Sequence, residues 1–456
     1  MSDSLELLQT QEDQKLLIID NKVYDVTEFH QEHPGGSQVL LTHVGKDASD
    51  VFHAMHPTSA YEILANHYIS DVPSTVSTGD MKAFAQDIRD LRDHLSTQDY
   101  FKANHLYYFY KLISTLAICF VAMLLLYRYG QESTTAMVFS AFLLGLFWQQ
   151  CGWLSHDFGH HQVFGNRTWN NVALIFLGNF CQGFALSWWK NKHNTHHAST
   201  NVNGHDPDID TAPVLLWDEY ASAFYYGGLS TDTNNNKPTT ATNQNRPSSV
   251  IDRFMAENVL PYQTRYYFFV LAFARASWAL QSVLHLLQVG AINQSTPLRI
   301  YEIGCLFLHW VLFLSATIGW IDGVHHQLLF VILSQSFAGY FLALVFALNH
   351  NGMPVISPDQ AESMEFFEIQ VITSRDVKMG WIGNWFMGGL NYQIEHHVFP
   401  TLPRHQLPVV QPMVEAICRK HRVRYHTTSF IQGTLESLES LALAQKVARK
   451  LIKKST

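Results

Sequence analysis

The 456-residue chain is poor in cysteine, poor in charge and, over its first 75 residues, poor in basic side chains. Its five cysteines, Cys119, Cys151, Cys181, Cys305 and Cys418, form no C-x-x-C pair, and four of them sit in apolar runs. That excludes a disulfide framework and predicts buried thiols in a reducing setting. Charged residues are 15% of the chain against 47% hydrophobic ones, and the hydrophobic ones are gathered in long runs, which excludes an ordinary soluble enzyme. Residues 1–75 carry 12 acidic and 3 basic side chains, net −9, whereas the remainder is near neutral at +1. This asymmetry argues against nucleic-acid binding and suits either docking to basic partners or simple solubility. The N-terminus has no apolar h-region, so no cleavable signal peptide is expected and the acidic head should stay in the cytosol.

Apolar stretches run near residues 107–127, 134–154, 171–187, 265–289, 301–321 and 327–349. A helix needs about 20 residues to cross a bilayer. Segment 171–187 is short and holds Asn179 and Gln182. Segment 265–289 contains Arg275, and a central arginine costs roughly 2.5–3.5 kcal/mol on insertion scales. The expectation is four spanning helices, with 171–187 and 265–289 lying in the interface. Outside these runs, residues 72–80 have linker composition. Met81 to Leu95 reads as an amphipathic helix leading towards the membrane. Residues 231–247 lack apolar side chains and read as a disordered cytosolic loop. Leu435 to Lys454 reads as a helix whose basic end suits an anionic leaflet or plain solvent.

The head, residues 1 to about 75, opens with Leu16-Leu17-Ile18-Ile19, a polar turn, and Val23-Tyr24-Asp25-Val26, a strand–turn–strand pattern. Thr27 is placed to cap a short helix ending near His33-Pro34-Gly35-Gly36, where two glycines let the backbone approach a flat ligand. From Tyr24 to Tyr68 the head resembles cytochrome b5, through Asp25-Val26-Thr27-Glu28-Phe29, His33-Pro34-Gly35-Gly36, Gly45-Lys46-Asp47-Ala48 and Phe52. The resemblance implies haem b on two axial histidines, His33 and His56, with His53 a near competitor for the second role. Two histidines on one iron leave no open position, so such a haem passes electrons and does not bind oxygen.

Three histidine clusters border the apolar runs. His156, His160 and His161 lie in His-Asp-Phe-Gly-His-His; His193, His196 and His197 in His-Asn-Thr-His-His; Gln393, His396 and His397 in Gln-Ile-Glu-His-His. Spacings of i, i+3 and i+4 put side chains on one helix face. Neutral imidazole is a good ligand for iron, zinc or copper. Asn349-His350-Asn351-Gly352 adds His350 directly after the last apolar run. So many nitrogen donors point to two metals. Zinc has no redox chemistry, which would leave a tethered electron carrier nothing to reduce, so iron is expected. The clusters must then lie on one side of the bilayer, facing the cytosol. Asp157 and Glu395 are placed either to orient imidazoles or to sit on helix surfaces. Trp188 and Trp189 read as interfacial anchors or as tunnel lining, the anchor being favoured.

From about residue 100 to 430 the chain looks like the membrane fatty acid desaturases. The haem head and Gln393 in place of a histidine make it similar to the front-end group, which insert a double bond between an existing one and the carboxyl end. The fit to fungal delta-6 acyl-lipid desaturases runs through Gly145 to Gly152, Trp188 to His197, Asp206 to Thr211, Leu348 to Ile356 and Gly388 to His397. The resemblance implies an α+β haem domain at 1–75, a linker and amphipathic helix at 76–100, and an all-α membrane domain at 101–456. It implies non-haem iron held by His156, His160, His161, His193, His196, His197, His350, His396 and His397, with Gln393 at or next to the metal. His160 and His161 cannot be separated by spacing. It further implies O2 as co-substrate, electrons from NADH through cytochrome b5 reductase, an acyl-lipid substrate and an endoplasmic reticulum membrane. Delta-5, delta-8 and sphingolipid long-chain-base desaturases share these motifs. A hydroxylase using the same iron chemistry, or a membrane haem protein that only relays electrons, would carry part of the same pattern.

Overall fold

The computed structural model describes residues 14–57, 59–72, 83–226, 250, 254–292 and 295–455; the loop expected at 231–247 and all but Val72 of the linker at 72–80 lie outside them. In the head, β1 (Leu16–Ile19) and β2 (Lys22–Asp25) pair antiparallel, and β3 (Tyr68–Asp71) adds to β2. Asp20 and Asn21 connect β1 to β2 with both φ angles positive, the conformation of a two-residue hairpin turn. Two short helices, α1 (Ser37–Leu41) and α2 (Ser49–Met55), close over Leu17, Ile19, Tyr24 and Val26. Thr27 does not cap a helix. Its hydroxyl accepts a hydrogen bond from the Lys15 amide at 2.8 Å, and the turn that follows, Phe29–Gln31, has no side-chain cap.

Helix α3 (Ala83–Thr97) buries Phe84, Ala85, Ile88 and Leu95, a stripe at helical spacing. The stripe packs on Val410, Val414 and Cys418, not on a membrane surface. From the flank of this stripe Arg89 donates two hydrogen bonds to the Asp50 carboxylate of the head, at 2.7 and 2.9 Å. The helix expected to lead to the membrane is thus a strut between head and body.

Among the described residues, four helices are long and apolar enough to cross a membrane: α4 (His105–Tyr129), α5 (Thr134–Gly159) and, after four shorter helices, α10 (Thr296–Trp320) and α11 (Val324–His350). They are the four expected from the apolar runs and form two hairpins. Asn104 caps α4 by accepting from the amides of Leu106 and Tyr107, and Ser133 caps α5 through the Ala136 amide. Helix α5 is the central member. A Cβ on Gly145 would lie 2.7 Å from Phe337 Cβ, so glycine permits the close approach of α5 to α11. Phe109, Phe120, Phe307, Ile318 and Ile332 stay exposed on the outer helices, an apolar belt suited to lipid.

The two stretches expected not to cross are both bent. Helix α6 (Arg167–Leu174) runs into a π turn, Ile175–Gln182, and breaks at Gly183, where φ is +91°. Helix α7 (Leu186–Ala198) leaves the break at 109°. Asn179 donates to the Glu302 carbonyl and accepts from the Leu186 amide, while the Glu302 carboxylate accepts from the Ser187 amide and hydroxyl. Asn179, one of the polar residues expected to disfavour a span, therefore helps build the start of α7. Helix α8 (Gln263–Leu271) and α9 (Ala274–Gln288) belong to a second bent pair, at 85°. Arg275 is buried within the bundle instead of lying at an interface. It donates to Gln335 and to the Gln182 carbonyl, and its guanidinium carbon is 3.4 Å from the centre of the Trp148 ring.

Three elements complete a polar cap: α12 (Phe366–Ile372), α13 (Gln393–Val398) and α14 (Leu407–His421). β4 (Asp376–Lys378) and β5 (Thr427–Ser429) pair parallel and lead into α15 (Phe430–Ser455). Helix α15 packs one face against the body. Leu441, Ala444 and Ala448 are buried, and Arg449 donates to the Pro261 carbonyl at 2.7 Å. Arg404 clamps the cap to α5 through a fully buried ion pair with Asp157 at 2.7 Å, a contact whose rupture by removal of one partner typically costs about 3–5 kcal/mol. All five cysteines are unpaired, as expected. The whole is a small α+β head followed by a mostly helical domain with four membrane-capable helices.

Candidate metal centre and haem pocket

The histidines converge where the ends of α5 and α11 meet α7 and α13. His156, His160, His193, His197 and His396 form one buried group, and His196, His350 and His397 a second. Helices α7 and α13 each feed both groups. On α7, His193 and His197 are one turn apart and share the first group, while His196 faces the second; on α13, His396 joins the first and His397 the second. The rings of His197 and His397 stack at 4.2 Å where the groups adjoin. The Nε2 atoms of His160 and His193 are 2.9 Å apart, those of His193 and His197 3.1 Å, those of His197 and His396 3.1 Å, and those of His196 and His350 3.3 Å.

In the second group the other ring nitrogens are anchored on oxygens. His350 Nδ1 lies 3.1 Å from the Thr373 carbonyl, His397 Nδ1 2.9 Å from Gln370 Oε1, and His196 Nδ1 2.9 Å from Asp206 Oδ2. An Nδ1–H donated to a fixed oxygen leaves Nε2 with its lone pair free for a metal. Burial, reinforced by the neighbouring imidazoles, holds His160, His193, His197 and His397 well below the ordinary imidazole pKa, so they are neutral. His196 differs. Burial opposes its protonation, but the charges of Asp206 and Asp208 outweigh that and raise its pKa. His156 Nε2 and His397 Nε2 are buried with no hydrogen-bond partner among the described residues. Buried, neutral, convergent and partly orphaned nitrogens are the donor set a pair of borderline metal ions requires.

Gln393 sits at the rim of the second group. Its Nε2 is 2.8 Å from His350 Nε2, and its Oε1 accepts from Asn349 Nδ2 at 3.0 Å. His161 is not in either group. Helix α5 ends at Gly159, His160 closes it, and His161 adopts φ +58°, which turns its ring towards Lys190 Nζ at 3.3 Å. The sequence could not separate His160 from His161; this reversal does. Asp157 is committed to Arg404 and makes only a 3.7 Å approach to His156. Glu395 bonds Tyr425, not an imidazole. Trp189 is buried and stacks on His193 at 4.5 Å, and Trp188 packs on Phe184 and Trp278, so neither is an interfacial anchor.

Asp206, Gln370 and the Thr373 carbonyl were not legible as site groups. Asp206 also accepts from the Asn201 and Asp208 amides at 2.7 and 2.8 Å, which fixes its carboxylate against His196. Asp206→Asn is expected to lower metal affinity or activity by roughly 10–100-fold, the usual cost of removing such a supporting partner. Iron content and turnover of the purified variant check this; an unchanged iron stoichiometry and rate would contradict it.

In the head, His33 and His56 face each other with ring centroids 5.9 Å apart. His33 Nδ1 lies 2.8 Å from the Gly36 carbonyl and His56 Nδ1 3.1 Å from the Phe52 carbonyl, which again leaves each Nε2 as the free donor. Burial lowers the pKa of His33 to about 4 and that of His56 to about 3, so both are neutral. Both line one apolar cavity with Phe29, Val39, Phe52 and Leu64. His53 instead pairs with Asp20 at 2.8 Å on the exposed side. The donor pair and its apolar walls fit a haem. The glycines serve a second purpose: a Cβ on Gly36, where φ is +104°, would lie 2.8 Å from the Asn191 backbone of α7. Asn194 of the same helix donates to the Gly35 carbonyl at 2.7 Å, and Arg167 donates to the Met55 carbonyl at 2.9 Å. The head is docked on the helix that carries the second cluster.

A double imidazole cage beneath membrane-capable helices, with a two-histidine pocket beside it, defines a membrane-embedded metalloprotein with a built-in haem domain. The fatty acid desaturase profile matches residues 133–429, and that of the cytochrome b5-like heme/steroid binding domain matches residues 4–73. The chain is 36% identical over 430 residues to an acyl-lipid (9-3)-desaturase of Physcomitrium patens, covering 93% of this chain and 74% of that protein. It is 33% identical over 436 residues to a Delta(8)-fatty-acid desaturase of Euglena gracilis, covering 94% and 95%. It is 33% identical over 454 residues to the Delta(6)-fatty-acid desaturase fat-3 of Caenorhabditis elegans, covering 93% and 94%. The chain belongs to the fatty acid desaturase family. Within it, this is a front-end desaturase with a fused cytochrome b5 domain, an integral membrane protein that acts on lipid acyl chains.

Proposed function

We propose that the chain is a delta-6 desaturase of C18 polyunsaturated acyl chains, converting linoleoyl to gamma-linolenoyl and alpha-linolenoyl to stearidonoyl groups. The observation that carries the chemistry is the pair of adjoining imidazole groups with their Nε2 atoms turned inward. In this reading His156, His160, His193, His197 and His396 hold one iron. His196, His350 and His397 hold the other, with Gln393 beside it, and His161 leaves the ligand set. Two irons so held supply the O2-dependent oxidation that takes hydrogen from an unactivated C–H bond. The protein's part is positional. Asp206, Gln370 and the Thr373 carbonyl fix the rings of His196, His397 and His350, and burial keeps His160, His193, His197 and His397 neutral and water out. His33 and His56 hold haem b, reduced from NADH through cytochrome b5 reductase.

The domains are proposed at 1–75, 76–100 and 101–456, in the endoplasmic reticulum membrane with haem and clusters on the cytosolic side. The delta-6 assignment is supported by the stretches that resemble delta-6 enzymes and by the name of one relative. The delta-8 relative of similar identity supports the runner-up regiochemistry. Expression in a yeast that makes no polyunsaturated lipid, fed linoleate and alpha-linolenate, discriminates. New bonds at carbon 6 are expected by gas chromatography with mass spectrometry. Bonds at carbon 5 or 8 on longer chains, a sphingoid product or a retained hydroxyl would each overturn the delta-6 assignment, in favour of a delta-5 or delta-8 enzyme, a long-chain-base desaturase or a hydroxylase respectively.

A further inference from the structure

The haem cavity is not closed by the head alone. Its far wall belongs to the membrane domain and includes His161, Arg167, Asn171 and Lys190. No aspartate or glutamate lines the cavity among the described residues. Lys190 is buried, with its Nζ 2.7 Å from Asn171 Oδ1 and 3.3 Å from His161 Nε2. Arg167 donates to the Met55 carbonyl, a neutral acceptor. Buried Lys190 and half-buried Arg167 thus share one wall, and among the described residues no acidic side chain bonds to either; the carboxylate of Glu302, whose charge acts on Lys190, is itself bonded to Ser187. Burying a charge without a counter-ion is costly, so the cavity is built for a ligand that brings negative charge. Haem b carries two propionate carboxylates at one edge.

We propose that Arg167 and Lys190 bind haem propionate across the domain boundary, so that the haem is held jointly by the head and the membrane domain. This rests on the haem reading of His33 and His56. The joint site makes the haem itself part of the interdomain contact, alongside the Asn194–Gly35 bond and the Arg89–Asp50 pair. Lys190 also lies beside His161, the covalent neighbour of His160 in the metal cage. Arg167 and Lys190 are positioning residues for the haem.

The test uses the full chain in nanodiscs, reconstituted with haem b or with its dimethyl ester, whose propionates cannot ionise. Haem transfer to apomyoglobin and the haem midpoint potential are measured. The Arg167→Gln/Lys190→Gln variant should lose haem b at least roughly tenfold faster than the native chain, the size expected for one charge-assisted hydrogen bond. Its potential should be more negative, because nearby positive charge favours the ferrous state. The native chain should lose the dimethyl ester about as fast as the variant loses haem b, and the variant should add no further acceleration with the ester. Lys190→Arg alone should keep transfer slow. Equal acceleration of both haems by the variant, or unchanged transfer and potential, would overturn the proposal. A native chain that takes up no haem would instead defeat the underlying haem reading.

Discussion

His193→Ala should bring desaturated product below detection, lower non-haem iron by about half or more, and leave the haem absorption bands intact. The argument is geometric. His193 Nε2 sits within 3.1 Å of the Nε2 atoms of both His160 and His197, and its ring stacks on Trp189. Alanine removes the donor at the centre of the five-histidine group and leaves a polar hole that no described side chain can fill. Supporting partners alone cost roughly 10–100-fold when removed, so loss of a central donor should exceed a hundredfold. The haem bands should persist because His193 is not among the residues lining the haem cavity. Gas chromatography of lipids, iron analysis and an absorption spectrum of one preparation give all three readouts. Retained desaturation with full iron would exclude His193 as a ligand.

His33→Ala should erase the haem spectrum and stop turnover, and free cytochrome b5 should not rescue it. His33 is buried and its Nδ1 is already committed to Gly36, so its Nε2 has one use. Rescue should fail because the fused head still occupies the docking face. Asn194 of α7 bonds the Gly35 carbonyl and Arg167 bonds the Met55 carbonyl, both through backbone atoms that the substitution leaves in place. A free carrier would have to displace the tethered head, which is held at high effective concentration. Non-haem iron should be unchanged in this variant, which separates loss of the electron carrier from collapse of the cage. Full activity restored by added cytochrome b5 would show that the head does not block that face.

The apolar runs, the histidine spacings and the His-Pro-Gly-Gly stretch are local patterns. Each is written within a few residues, so the four long helices, the head and most of the clustered histidines could be read directly from the chain. Asn179 and Arg275 do not suit lipid, which is why these two stretches were expected not to span; the structure bends both. Their actual partners, Glu302 and Trp148, come from more than 120 residues away and carry no periodic signal.

The sequence by itself determined which imidazoles share a helix face and that a two-histidine head precedes a membrane domain, because helical spacing aligns side chains within each cluster. Only the tertiary structure decided that His160 enters the cage while His161 turns out of it. It also decided that Asp206, Gln370 and Thr373 orient the rings, and that the head sits on α7. A backbone reversal after Gly159 and hydrogen bonds between segments 10 to more than 150 residues apart make those choices. Such contacts exist only once the chain has folded and desolvated them.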